Sequence, residues 1–372
     1  MLPRWYPNKL DVQLGTFIQK QAILMKDEFN VFVIYVQGVP DLSKKFEFVE
    51  NTENGIRERI VYFKQSQSAL RKVTNARRYK LAQILAFKNV DFKPDLCHVH
   101  VPYRSAFLAL DLRKKGVPFV ITEHWSGHIN GEYDKKNAAD ITIYKQVLGK
   151  AKGISVVSEL LQRKFKENTS FDSIVIPNLI EEQIDTSTND REDRIEILTV
   201  SDLVDDTKNV TGLISAFKNA NETHENLNLT IIGGGPDEAL IKALVKDLGL
   251  QNHITFRGRL EHDEVISAYH NYDFYICNSN FETFGMTVAE ALLAGKPVIS
   301  TKCGGPEEYV NSKNGILIET KDNKALSAAI LDMVGEYKNY SSSELSNEIR
   351  TKFGAEKIKS QIKEFYLNAI ND

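Results

Sequence analysis

The chain has 372 residues, of which 42% are hydrophobic and 26% charged, with 47 Lys and Arg against 50 Asp and Glu. That length exceeds what one hydrophobic core usually organises, roughly 250 to 300 residues, so two domains are expected. The composition excludes a disordered chain, and no apolar run approaches the ~20 residues needed to span a bilayer.

In chain order, FNVFVIYVQG (29–38) reads as a strand, and FEFVE and RIVYF as a strand pair after it. Residues 66–89 read as a basic helix in which Leu70, Val73, Leu81, Ile84 and Leu85 form the inward stripe. Then come the strand DLCHVHV, the helix SAFLALDLRKKG stopped by Gly116, and the strands PFVIT and GISVVS. SELLQRKFKEN follows as a helix capped by Ser158. This alternation is the pattern of a parallel sheet with helices on both faces, and it ends near Asn178. We read residues 1–180 as the first domain and the polar, acidic EEQIDTSTNDRED (181–193) as a linker.

The alternation restarts in residues 194–350 with IEILTVS, TGLISAFKNA, LNLTIIG, DEALIKALVKDLG, ITFRG, DEVISAYHN, DFYICN, MTVAEALLAG, PVIST and GILIE. The fold class is therefore α/β, with two doubly wound sheets. Ligands of such sheets bind at the carboxyl ends of the strands, so the site is expected in a cleft between the domains. In the closing segment, 351–372, Ile358, Ile362, Phe365, Tyr366 and Ala369 share one helical stripe, and the helix is expected to pack back on the first domain.

With no membrane-spanning run and a start that lacks the apolar core of a signal peptide, a cytoplasmic protein is expected, and the three widely spaced cysteines, without metal-ligand spacing, are expected to be buried free thiols. Residues 1–180 carry 28 Lys and Arg against 18 Asp and Glu, so the first half is expected to face something anionic, such as an anionic membrane surface at the inner face. Nucleic acid is not expected, since the basic residues lack interleaved aromatics.

The chemistry concentrates in NSNFETFGMTVAEALLAGKPVIST (278–301). Glu282 lies in the loop after a strand, and Glu290 about one turn inside the next helix. Between them the helix N-terminus offers free N–H groups and a positive dipole end to a phosphate, and Gly285 lets backbone approach it. Two acceptors flanking an anion pocket suit a nucleotide-sugar.

These residues resemble a known signature. Phe281-Glu282-Thr283-Phe284-Gly285, Glu290-Ala291, Gly295-Lys296-Pro297-Val298 and Gly304-Gly305-Pro306-Glu307-Glu308 are similar to the donor-site motif of the retaining family-4 glycosyltransferases. Trp5-Tyr6-Pro7-Asn8, Gly15-Thr16-Phe17, His98-Val99-His100, Thr122-Glu123-His124, Ile176-Pro177-Asn178 and Gly233-Gly234-Gly235-Pro236 appear in that family's order. The resemblance implies the GT-B fold, two Rossmann-like domains facing across a cleft, with the acceptor bound by the first and the nucleotide-sugar donor by the second. By it, Glu290 would hold the donor ribose, Glu282 would bond hydroxyls of the transferred sugar, and the backbone from Phe284 through Gly285 and Met286 to Thr287 would line the sugar and diphosphate. His124 would stand near the donor sugar, and Gly15 in a loop facing acceptor or diphosphate.

The sequence departs from the pattern at the phosphate clamp, where Ser201-Asp202-Leu203 replaces the family's Gly-Arg-Leu. Lys208 fits the family's lysine. Asp202 is expected to point away, pair with Lys208 or meet the ligand differently, while Arg257 or Arg259 carries the missing charge. The implied reaction is retaining hexosyl transfer, without metal or cofactor beyond the nucleotide-diphosphate sugar, to a sugar or lipid-linked sugar in cell-surface glycan or polysaccharide assembly. A glycosidase would not need a helix N-terminus between its carboxylates. The family-4 pattern argues against a nucleotide-sugar epimerase. The alternative of another class is a non-catalytic nucleotide-sugar or glycan-binding relative.

Overall fold

The computed structural model of the protein describes residues 1–52, 54–88, 90–181 and 194–371, so most of the expected linker lies outside the described residues. The chain forms two compact units, one of Met1–Leu179 with Glu356–Asp372, the other of Ile180–Ala355.

In the first unit, chain order is β1 (Leu2–Pro3), α1 (Thr16–Leu24), β2 (Phe32–Val39), β3 (Phe46–Asn51), β4 (Arg57–Lys64), α2 (Arg71–Phe87), β5 (Cys97–His100), α3 (Phe107–Arg113), β6 (Phe119–Glu123), α4 (Ala138–Leu148), β7 (Gly153–Val156), α5 (Glu159–Thr169) and β8 (Ile174–Val175). A parallel five-stranded sheet runs β1-β5-β6-β7-β8. The wound sheet expected of this half does not include β2, β3 and β4, which bond among themselves, β2 parallel and β3 antiparallel to β4. The central strands β5 and β6 are buried at every position, and β5 buries two histidines, His98 and His100, among its four residues.

Helix α2 is rotated from the expected orientation. Its buried residues are Tyr79, Ala82, Gln83 and Ala86, while Leu70, Val73, Leu81 and Ile84 are exposed and Leu85 is half-buried. The stripe that packs is set by shape and hydrogen bonding more than by side-chain hydropathy. Tyr79 meets the Phe63 and Phe107 rings edge-on. Gln83 donates to the Ser105 carbonyl at 2.9 Å and accepts from the Leu108 amide at 3.2 Å. The two alanines let the helix backbone approach closely.

The second unit follows with β9 (Ile195–Val200), α6 (Asp205–Lys208), α7 (Val210–Thr223), β10 (Leu227–Ile232), α8 (Glu238–Asp247), β11 (Ile254–Gly258), α9 (His262–Tyr269), β12 (Phe274–Cys277), α10 (Met286–Leu293), β13 (Val298–Thr301), β14 (Gly315–Ile318), α11 (Asn323–Glu336) and α12 (Ser342–Phe353). Its six strands are parallel in the order β11-β10-β9-β12-β13-β14. Ile197, Leu213, Phe217, Leu229, Phe274 and Ile330 belong to the core around which α7, α8 and α11 pack.

The chain then returns to the first unit in α13 (Ala355–Asn371), whose Ile358, Ile362, Phe365, Tyr366 and Ala369 are buried with Met25, Val120, Ile176 and Leu179. Tyr366 Oη lies 2.6 Å from His98 Nδ1, and Lys363 pairs with Glu28. Because Ile362 is 1% exposed, truncation removes contacts that nothing else replaces. Ile362→Ala is expected to lower the unfolding free energy of this unit by about 2 to 5 kcal/mol, read as a drop in the urea midpoint, whereas Lys363→Ala shifts it by less than about 1 kcal/mol.

Candidate functional site

In the second unit the strand order reverses between β9 and β12, and a parallel sheet opens its ligand crevice at such a point, beyond the carboxyl ends of the strands. Past the end of β12, Asn278, Ser279 and Asn280 are buried. Asn278 Nδ2 donates to the Asn209 carbonyl at 2.9 Å, and Asn280 donates from Nδ2 to Asp206 O at 2.8 Å and from its amide to Thr207 O at 2.7 Å. These bonds fasten the α6 turn, which follows β9, to the loop that follows β12. The fastening brings Lys208 Nζ to 2.6 Å from Glu282 Oε1, with 21% and 17% of the side chains exposed. Ser279 Oγ donates to the same carboxylate oxygen at 2.7 Å. Burial acts to lower the Lys208 pKa, but the Glu282 charge and hydrogen bond outweigh it and hold the ammonium protonated well above its ordinary range.

The backbone beyond Glu282 is fixed as tightly. The Glu282 amide donates to Cys303 O at 2.8 Å and its carbonyl accepts from the Gly305 amide at 3.0 Å. Gly285 sits at φ 83° directly before α10, where a Cβ would lie 2.6 Å from Pro306 Cγ, so only glycine makes the turn. The Tyr309 hydroxyl bridges the Phe284 and Gly285 carbonyls at 3.0 and 2.7 Å. Phe284 buries its ring against Phe353 and leaves only backbone for a ligand. Met286 and Thr287 form the half-buried first turn of α10, and the Tyr275 hydroxyl donates to Thr287 Oγ1 at 2.7 Å. Glu290 is 6% exposed and accepts from the Tyr269 hydroxyl at 3.2 Å, which makes it a placed acceptor rather than a solvated helix charge.

Of the alternatives left open for Asp202, pairing with Lys208 is not the one the structure shows. Lys208 is engaged by Glu282, and Asp202 pairs instead with Arg259, whose Nη2 donates to Oδ1 at 2.8 Å and to the Gly234 carbonyl at 3.1 Å.

The other candidates, His124 and Gly15, belong to the first unit. Gly15 caps α1 at φ 69°, where a Cβ would lie 2.5 Å from the Trp5 carbonyl. His124 follows β6 and is 6% exposed. Its ring lies 4.9 Å from the Phe17 ring, and its Nε2 is 3.1 Å from His100 Nδ1. Its Nδ1 is buried with no partner among the described residues. The loop that carries it is held by Glu123, whose Oε1 accepts the His124 and Trp125 amides at 2.9 Å each and whose Oε2 accepts the Tyr144 hydroxyl. Burial acts to raise the Glu123 pKa, but the His128 ring 3.9 Å away and hydrogen bonds from the Tyr144 hydroxyl and the Trp125 amide outweigh it and lower it.

Sequence reasoning missed Ser279, Asn278, Asn280, Tyr309, Glu123 and His100 as positioning residues. The three-residue polar run after the apolar strand β12 was the readable signal for the first three. His100 and Glu123 lie inside the His98-Val99-His100 and Thr122-Glu123-His124 segments, and nothing local marks Tyr309. Among the described residues no group of three or more His, Cys, Asp or Glu could hold a metal ion.

Two family models match the chain. One, described as Glycosyltransferase Family 4, covers residues 24–183, and the other, described as Glycosyl transferases group 1, covers residues 180–357. The chain belongs to the family-4 glycosyltransferases. A relative is an uncharacterised glycosyltransferase of Methanocaldococcus jannaschii, 28% identical over 73% of this chain and 75% of that one. Another is the alpha-monoglucosyldiacylglycerol synthase of Streptococcus pneumoniae, 30% identical over 44% of this chain and 36% of its own length, and the chain spans 14% to 43% of the length of other curated relatives. The structure of Anabaena HepE in complex with UDP-glucose superposes with a TM-score of 0.72 at 17% identity, covering 98% of both chains. The fold is therefore GT-B.

Burial lowers the His124 pKa to about 4 and holds His98 and His100 well below the ordinary histidine value, so all three fold as neutral rings. The unfolded chain accepts the proton that the folded chain refuses, so stability falls as pH drops from about 6.5 towards 4. At pH 5 His124 alone removes about 2 kcal/mol relative to pH 7, a Tm decrease of about 5 °C, and His124→Phe flattens that slope in thermal unfolding.

Proposed function

We propose that this protein is a retaining hexosyltransferase that moves a sugar from a nucleotide-diphosphate donor to a hydroxyl acceptor in the assembly of cell-surface glycan or polysaccharide. The observation that carries the reading is the Lys208–Glu282 pair at 2.6 Å, at the strand reversal and beside the N-terminus of α10. An ammonium and a helix N-terminus stabilise the negative charge that develops on a departing diphosphate, with no metal required. Glu282 accepts from hydroxyls of the sugar, Glu290 from the ribose, and the backbone of Phe284, Gly285, Met286 and Thr287 approaches sugar and phosphates. The first unit takes the acceptor, Gly15 offering bare backbone and His124 a neutral ring nitrogen. In a retaining transfer of this kind the leaving phosphate oxygen takes the acceptor's proton as the new glycosidic bond forms on the face it departs from. HepE, crystallised with UDP-glucose, makes a uridine donor the first to test.

Glu290→Ala is expected to weaken nucleoside diphosphate binding about tenfold or more. Glu282→Ala is expected to lower kcat by two orders of magnitude while changing that binding less. Calorimetry with UDP, GDP and ADP, and turnover with the donor that binds, separate the two. Full activity of both variants would overturn the assignment.

The acceptor is a lipid-linked sugar, met at the inner membrane face. Helix α2 exposes Leu70, Val73, Leu81 and Ile84 together with Arg71, Lys72, Arg77 and Lys88. Exposed aliphatic side chains among cations fit the interfacial layer of an anionic bilayer, where each Lys or Arg adds about 1 kcal/mol. The attachment proposed is peripheral, and no described helix is long and apolar enough to cross a membrane. Sedimentation with phosphatidylglycerol vesicles is expected to show binding at low salt. That binding is reduced by high salt, by Arg71, Lys72 and Arg77→Glu, and by Leu70, Leu81 and Ile84→Gln. No binding at low salt would favour a soluble acceptor.

A further inference from the structure

Arg259 follows β11, two places in the sheet from β9, yet its guanidinium is bonded to Asp202 at the end of β9. It gets there by crossing the end of β10 over Gly234. The Gly234 carbonyl takes its second hydrogen bond at 3.1 Å, and a Cβ at Gly234 would lie 3.3 Å from Arg259 Cγ and 3.5 Å from Nε. Any side chain at Gly234 would crowd the arginine stem. The ends of β9, β10 and β11 thus act together to deliver a cation from the edge of the sheet to the strand reversal, on the side where Lys208 lies. Asp202 is close enough to Lys208 to add to the field that keeps its ammonium charged.

We propose that Arg259 is the second cation of the donor diphosphate site and that Asp202, the acid standing where an arginine would be expected, is the positioning residue that presents it. Both bonds use Nη2, which leaves Nε and Nη1 to donate single charge-assisted hydrogen bonds to phosphate oxygens. The pair is open to solvent, Arg259 48% and Asp202 61% exposed, so it contributes little to folding. An acid beside a diphosphate repels it unless a cation stands between them, and Arg259 is that cation. The proposal rests on the reading of this site as one for a nucleotide-diphosphate donor.

The test measures binding of inorganic pyrophosphate and of UDP by calorimetry at fixed ionic strength. Arg259→Ala is expected to weaken both about tenfold, while the unfolding midpoint stays within error. Asp202→Ala is expected to weaken both in the native background but to strengthen them in the Arg259→Ala background, where only its repulsion is left. The double variant Asp202→Arg with Arg259→Ala, which returns the cation to β9, is expected to recover binding to within about threefold of the native protein. Native-like binding by Arg259→Ala, stronger binding by Asp202→Ala in both backgrounds, or no recovery in the double variant would overturn the proposal. Lys208→Met is the control that separates the two readings. If it too leaves pyrophosphate and UDP binding unchanged, the donor site itself is misassigned; if it alone loses binding, only the role of Arg259 fails.

Discussion

The ion pair between Lys208 and Glu282 is the constraint on which the C-terminal unit's site depends. Both side chains are about four-fifths buried, and a partly desolvated ammonium is tolerable only with an acceptor at close range. That acceptor comes from 74 residues away, so two loops after two different strands must be held in register. The Asn278 and Asn280 bonds to the backbone of Asn209, Asp206 and Thr207 do this with neutral groups, leaving the one charged pair free to respond to a ligand. Removing either charge alone would leave the other buried and unpaired, which is costlier than the net worth of the pair.

The same logic appears in the N-terminal unit with the sign of the problem changed. There a buried carboxylate, Glu123, is satisfied by two backbone amides and a tyrosine hydroxyl, and the result is a rigid turn that presents His124. The histidine is kept neutral by burial, and one nitrogen is engaged by His100 while the other is left unpartnered among the described residues. A buried polar nitrogen without a partner is a cost that the surrounding packing must absorb, and functional groups are where such costs are usually carried.

The alternation of strands and helices was legible because each buried strand is a short apolar run and each helix carries a 3.6-residue stripe. Ser158, the cap expected from the sequence, accepts the Leu161 amide in the structure. The positions of Glu282, Gly285 and Glu290 around a helix start were legible too, since they depend on neighbours a few residues away. What stayed hidden was non-local or small. The partner of Asp202 is 57 residues distant. The packed face of α2 consists of two alanines, a glutamine and a tyrosine, so counting leucines and isoleucines pointed to the wrong side. The hairpin of β3 and β4 carries the strand pattern expected of it, but nothing in that pattern says which sheet it joins.

The return of the chain from the second unit to the first has a consequence for how the protein is made. Lys363 and Glu28 are 335 residues apart, and among the described residues the apolar cluster of Met25, Val120 and Ile176 is completed by α13. A ribosome adding about 5 to 20 residues per second must produce all of Ile180–Ala355 before that helix emerges, a wait of roughly ten to thirty-five seconds. During that interval the nascent N-terminal unit carries an uncovered apolar patch, and closing it requires a very long chain loop. The first half to be synthesised is therefore the second to be completed, and in the meantime the patch is a natural target for a chaperone that binds hydrophobic surface.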